Sequence, residues 1–69
     1  MKRTSVTSSD IRAIGYEADS QTLEVEFNSG GVYQYASVPQ SEYDGFMGAD
    51  SKGKYFNANI KGRYPYTKL

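Results

Sequence analysis

Cysteine and histidine are both absent from this 69-residue chain. Without cysteine there can be no disulfide and no thiolate metal site. Without histidine the chain also lacks the commonest metal ligand and the side chain that most readily titrates near neutral pH. Only carboxylate, lysine or tyrosine chemistry remains, so the sequence predicts a domain without catalytic residues, cofactor or metal. Long hydrophobic runs are missing too: no stretch approaches the roughly 20 apolar residues of a membrane span. Met1-Lys2-Arg3-Thr4-Ser5 is basic but leads into Val6-Thr7-Ser8-Ser9-Asp10, not into the apolar centre of a secretory signal. The lack of cysteine suits a reducing compartment, which makes the cytoplasm the expected location.

What the chain does have is aromatic: seven tyrosines and three phenylalanines. Chains near this size bury only about 60% of the surface their unfolded form exposes. Tyrosine suits such a thin core, because its ring can be buried while its hydroxyl reaches water. Eight basic and eight acidic side chains cancel in the total but not along the chain. Every acid (Asp10, Glu17, Asp19, Glu24, Glu26, Glu42, Asp44, Asp50) precedes Ser51, whereas Lys52, Lys54, Lys61, Arg63 and Lys68 follow it. Such asymmetry points to a localised electrostatic footprint.

One domain spans residues 1–69, with residues 1–9, polar and rich in Ser and Thr, expected as a flexible arm. Ile11 to Glu17 alternates loosely, and Ala18-Asp19-Ser20-Gln21 is a polar turn. Thr22-Leu23-Glu24-Val25-Glu26-Phe27 alternates without fault, as a half-buried strand requires. Asn28-Ser29-Gly30-Gly31 then offers residues that tolerate positive φ before the β-prone Val32-Tyr33-Gln34-Tyr35, which reads as a hairpin. Pro39 fits a helix start, and Tyr43, Phe46 and Met47 form one apolar stripe, although Gly45 and Gly48 shorten that helix. Ser51 can cap a second helix with Phe56 and Ile60 inward and Lys54, Asn57 and Lys61 near the opposite side. Gly62 is its expected stop, and Pro65 takes the chain out of helical geometry. The expected fold is therefore α+β: a three-stranded antiparallel meander followed by two short helices packed on one face, or alternatively a small barrel with helical additions. Its expected core is Leu23, Val25, Phe27, Phe46, Phe56 and Ile60.

The order of these pieces resembles a known family. Val6-Thr7-Ser8-Ser9-Asp10-Ile11, Ile14-Gly15-Tyr16, Leu23-Glu24-Val25-Glu26-Phe27, Ser29-Gly30-Gly31-Val32-Tyr33-Gln34-Tyr35 and Val38-Pro39 occur in that sequence. Ser51-Lys52-Gly53-Lys54-Tyr55-Phe56-Asn57 and Ile60-Lys61-Gly62-Arg63-Tyr64 complete the set. Together they resemble the KTSC domain, which occurs at the C-terminus of some lysyl-tRNA synthetases and as free-standing small bacterial proteins. The resemblance implies a domain of uncharacterised function, with RNA binding suggested by the synthetase context, and it supplies no catalytic residues.

Three motifs have a plainer alternative. Gly48-Ala49-Asp50-Ser51-Lys52-Gly53-Lys54-Tyr55 fits G-x-x-x-x-G-K, but tyrosine stands where a phosphate loop needs Ser or Thr for magnesium. No buried parallel strand precedes it, so an interhelical turn is expected. Glu24 and Glu26 share a strand face and could form a carboxylate pair, but alternation alone places charges on a solvent face. Tyr33 and Tyr35 share a face of their strand, either as core beneath the helices or as rings presented to bases. The strongest functional signal is the basic, aromatic C-terminal stretch: Lys52, Lys54, Tyr55, Asn57, Lys61, Arg63, Tyr64, Tyr66 and Lys68. Cations there would neutralise phosphates and rings would stack on unpaired bases. The expected function is a small non-catalytic module binding RNA or single-stranded nucleic acid, acting as a monomer. The alternative is a protein-protein interaction or adaptor domain using an exposed strand edge or aromatic patch.

Overall fold

The computed structural model of the chain describes residues 2–69. Its strands are β1 (Arg3–Ser5), β2 (Ile11–Glu17), β3 (Thr22–Phe27), β4 (Val32–Tyr35) and β5 (Tyr66–Lys68), with helices α1 (Gln40–Gly48) and α2 (Lys52–Tyr55). A π-helical turn, Phe56–Ile60, continues α2 directly. The five strands make one antiparallel sheet in the order β1-β2-β3-β4-β5. The expected three-stranded meander is thus the centre of a wider sheet, and it lies open between the edges β1 and β5 instead of closing as a barrel.

Arg3–Ser5 lacks apolar alternation, and what places it beside β2 is not local. Arg3 reaches Glu24 on β3, and Val6 N–H donates to the Arg12 carbonyl at 3.0 Å just beyond the strand. β5 is equally non-local: Ala36 N–H donates to the Pro65 carbonyl at 2.9 Å and Leu69 N–H to Val32 at 2.8 Å, on either side of the β4–β5 ladder.

The loose alternation of β2 comes from a bulge. Ile11 pairs with Phe27 and Ala13 with Glu26, which leaves Arg12 as the extra residue and lets Ile11 and Ile14, three apart, both face the core. The hairpin after β3 turns at Gly30, whose φ of 101° is cheap only for glycine, and Phe27 N–H donates to the Gly31 carbonyl at 2.9 Å.

Pro39 stands one position before α1 as its N-cap, and its carbonyl accepts from Glu42 and Tyr43. Phe46 is buried on this helix, with Tyr43 and Met47 half-buried beside it. Ser51 caps α2 by accepting the Lys54 N–H at 3.4 Å. The expected single α-helix widens after one turn, where Lys61 N–H reaches back to Phe56 O at 2.9 Å. Gly62, with φ of 80°, then ends it. The G-x-x-x-x-G-K segment runs from the last residue of α1 through the junction into α2.

Leu23, Val25, Phe46, Phe56 and Ile60 are buried together with Ile11, Ile14, Tyr35 and Val38. Phe27 is the exception to the expected core: it is half-buried, at the border where the sheet leaves the cover of the helices.

Candidate functional site

The inward face of β3, β4 and β5 carries Phe27, Tyr33, Tyr35 and Tyr66, because register places Tyr33 beside Val25 and Tyr66 beside Tyr35. The π-helical turn covers only part of this face. Between them lies a groove of about 650 Å³, lined by Phe56, Asn57 and Lys61 and also by Ser9, Asp10 and Asn28. Asn28 fixes the backbone of Ser8 and Ser9 there, its amide donating to both carbonyls. Tyr35 is only 5% exposed, yet its hydroxyl has no hydrogen-bond partner among the described residues, unlike those of Tyr16, Tyr55 and Tyr64. Since every fully enclosed side-chain nitrogen or oxygen among the described residues is partnered, this hydroxyl keeps some exposure, on a residue that lines the groove. Burial pushes it up to about 12, with Tyr33 and Tyr66 adding to the effect.

The structure divides the residues expected to bind nucleic acid. Asn57, Lys61 and Tyr66 line the groove, and the Lys68 ammonium lies 5.9 Å from the centre of the Tyr33 ring. Lys54 and Arg63 are exposed away from the groove lining, and Lys52 donates to the Ala49 carbonyl at 3.2 Å. Tyr55 and Tyr64 turn instead toward α1, where both hydroxyls donate to Glu42, at 2.6 and 3.3 Å. That hydrogen bond, followed by burial, pushes Tyr55 up to about 12, and burial followed by Glu42 raises Tyr64. These two phenols are therefore engaged in joining α1 to the second helical segment. Among the described residues no cation after Asp50 makes an ion pair; the three that occur use Arg3 and Arg12.

Sequence reasoning passed over Phe27 and Asp10 as groove residues and left Tyr33 and Tyr35 open. The structure places Tyr35 in the core and on the groove, with Tyr33 half-buried beside it. The available signal was the shared parity of Phe27, Tyr33 and Tyr35 across the hairpin. What hid the groove was β5, whose pairing brings Tyr66 to the same face.

Glu24 and Glu26 occupy the opposite face. Glu24 is 4% exposed instead of solvated. Arg3 Nε lies 2.9 Å from one of its oxygens and Gln34 Nε2 donates to the other at 2.9 Å. Arg3 reaches it across β2 at Gly15, which carries no side chain. Glu26 meets Arg3 at 3.1 Å and Arg12 at 3.8 Å. Carboxylates neutralised in this way are structural, and among the described residues no group of acids is placed to hold a metal. Among the described residues no helix is long and apolar enough to cross a membrane.

With this geometry in place, comparison with known proteins is informative. An uncharacterised protein of Stutzerimonas stutzeri is 42% identical over 70 residues, covering 100% of this chain and 99% of that protein. A lysine–tRNA ligase of Nostoc punctiforme is 44% identical over 59 residues, which span 86% of this chain but 10% of the ligase. The crystal structure of a KTSC domain protein from Yersinia pestis superposes with a TM-score of 0.97 at 43% identity, covering 99% of this chain and 96% of that one. The family model of the KTSC domain matches residues 7–64, and the chain belongs to the KTSC domain family.

Proposed function

We propose that this KTSC domain is a small non-catalytic module that binds RNA or single-stranded nucleic acid along the aromatic groove, as a cytoplasmic monomer. The observation that carries this reading is the pairing of exposed rings with unpaired cations: Tyr66 is 62% exposed on the groove, and Lys61 and Lys68 border it without an acidic partner among the described residues. Rings of this kind stack on unpaired bases and cations beside them neutralise phosphates. Occurrence of a matching segment in lysine–tRNA ligases is compatible with an RNA partner.

The test is fluorescence anisotropy with short labelled single-stranded RNA across a salt series. Engagement of about four phosphates predicts a slope of log K against log salt near −3. Lys61→Glu with Lys68→Glu, both exposed, should weaken binding strongly without unfolding the domain. A parent chain that binds neither RNA nor single-stranded DNA at low salt would overturn the reading. The adaptor reading would then lead, on the strength of the open β5 edge, where Tyr66 and Leu69 are the large exposed hydrophobic residues.

A further inference from the structure

The stacked aromatic pairs of this protein lie away from the groove, while the rings of the groove meet edge-on or tilted. Tyr16 stacks on Tyr43 with 11° between planes, and Phe46 on Tyr55 with 15°, both away from the groove. In the groove no ring stacks on another. Phe27 meets Tyr33 at 83° and Phe56 at 77°, Tyr35 meets Phe56 at 76°, and Tyr66 is tilted by 59° from Tyr33. A stacked pair has used a face of each ring, whereas an edge-to-face contact uses a face of only one of the two. The volume of about 650 Å³ falls within the roughly 300–1,000 Å³ of small-ligand sites, so a planar heterocycle has both the space and the surfaces it needs.

Several polar side chains on the lining lack partners among the described residues, and two of them, one buried and one exposed, set what a base would meet. One is the Tyr35 hydroxyl, on a residue 5% exposed. The other is the Asp10 carboxylate, which makes no ion pair and stands beside α2, where a Cβ on Gly53 would lie 3.3 Å from its Oδ2. A carboxylate repels phosphate and accepts hydrogen bonds only, so in this position it suits the N–H edge of a base. Guanine presents its ring N–H beside its amino group, two adjacent donors for two carboxylate oxygens. Adenine and cytosine place an acceptor next to the amino group, and uracil flanks its single N–H with carbonyls.

We infer that the groove seats one unstacked base of the bound strand, with the Tyr35 hydroxyl as its buried polar contact and Asp10 selecting guanine. This rests on the nucleic-acid reading above and adds to it a base-selective site. Lys61 and Lys68 then serve the flanking phosphates, and the strand crosses the groove with one base turned inward.

The test uses the full chain and four pentaribonucleotides, UUGUU, UUAUU, UUCUU and UUUUU, followed by amide chemical shifts and affinity. UUGUU should bind about tenfold tighter than UUUUU, with shifts concentrated at Asp10, Phe27, Tyr33, Tyr35 and Tyr66. Asp10→Asn should erase that preference, read as the ratio of UUGUU to UUUUU affinity, and Tyr35→Phe should weaken UUGUU by roughly fivefold. Equal affinity for all four, a preference for another base, or indifference to both substitutions would overturn the inference. The nucleic-acid reading would survive in those cases, provided Lys61→Glu with Lys68→Glu still weakened binding. If no pentamer bound at low salt, both would fall together.

Discussion

Glu42 receives two phenols, Tyr55 at 2.6 Å and Tyr64 at 3.3 Å, and both come from the chain that follows α1. The arrangement depends on Gly45, one turn along the helix, where an added Cβ would lie 2.6 Å from the Tyr55 hydroxyl oxygen. Two effects compete when Gly45 becomes Ala. Helix propensity favours the change by about 1 kcal/mol. Against it, the rigid phenol must leave a hydrogen bond to a charged group worth about 1.5–3 kcal/mol. Displacement wins, so Gly45→Ala should destabilise the domain by about 1 kcal/mol in urea unfolding, and a gain in stability would show that Tyr55 can move freely. From the sequence, Gly45 read only as a cost to the helix. The reason for it lies across a tertiary contact that spacing cannot express.

The same divide between local and non-local signals separates the elements. β3 was legible because Leu23, Val25 and Phe27 alternate with Glu24 and Glu26, and the hairpin because Gly30 supplies the positive φ its turn needs. β1 and β5 were not: each is a three-residue polar strand held by pairing with a distant partner. The second helix was legible in its Ser51 cap and buried Phe56 and Ile60, but its widening into a π turn was not. That widened turn carries Phe56, which meets the rings of Phe27, Tyr35 and Phe46 at 5.3, 5.6 and 6.4 Å and so joins sheet to helices. Phe56→Ala should cost about 3–5 kcal/mol, a large part of the stability of a domain this small. Phe27→Ala, at the half-buried border of the groove, should cost only about 1–3 kcal/mol. Equal losses in urea unfolding would mean that Phe27 is enclosed and the groove is shut. The groove was legible to the same extent: Asn57, Lys61, Tyr66 and Lys68 could be named from charge and aromaticity. Their separation from Tyr55 and Tyr64 required knowing that Glu42 lies on the other side.

At the scale of the whole molecule, the absence of histidine and the abundance of tyrosine decide how stability responds to pH. No side chain has its ordinary pKa near neutrality, so stability should be nearly flat from about pH 6 to 9. Above that range four phenols act in the same direction. Burial and neighbouring phenols push Tyr35 up to about 12, and Glu42 does the same for Tyr55. Burial also raises Tyr16 and Tyr64 above the ordinary 10.0. In the unfolded chain these groups lose their protons near pH 10, while the folded chain retains them. Their contribution is therefore complete below about pH 10 and is lost as the pH rises through the folded-state values, about 12 for Tyr35 and Tyr55. Urea midpoints should hold steady through neutrality and fall progressively between about pH 10 and 12, with tyrosinate absorbance appearing together with unfolding for the raised phenols. Tyr55→Phe should be less stable at neutral pH, because the Glu42 oxygen loses its donor, and should show a shallower alkaline decline. An alkaline profile identical to the parent's would separate Tyr55 from the transition, and a decline beginning below about pH 9 would mean that the phenols do not control it.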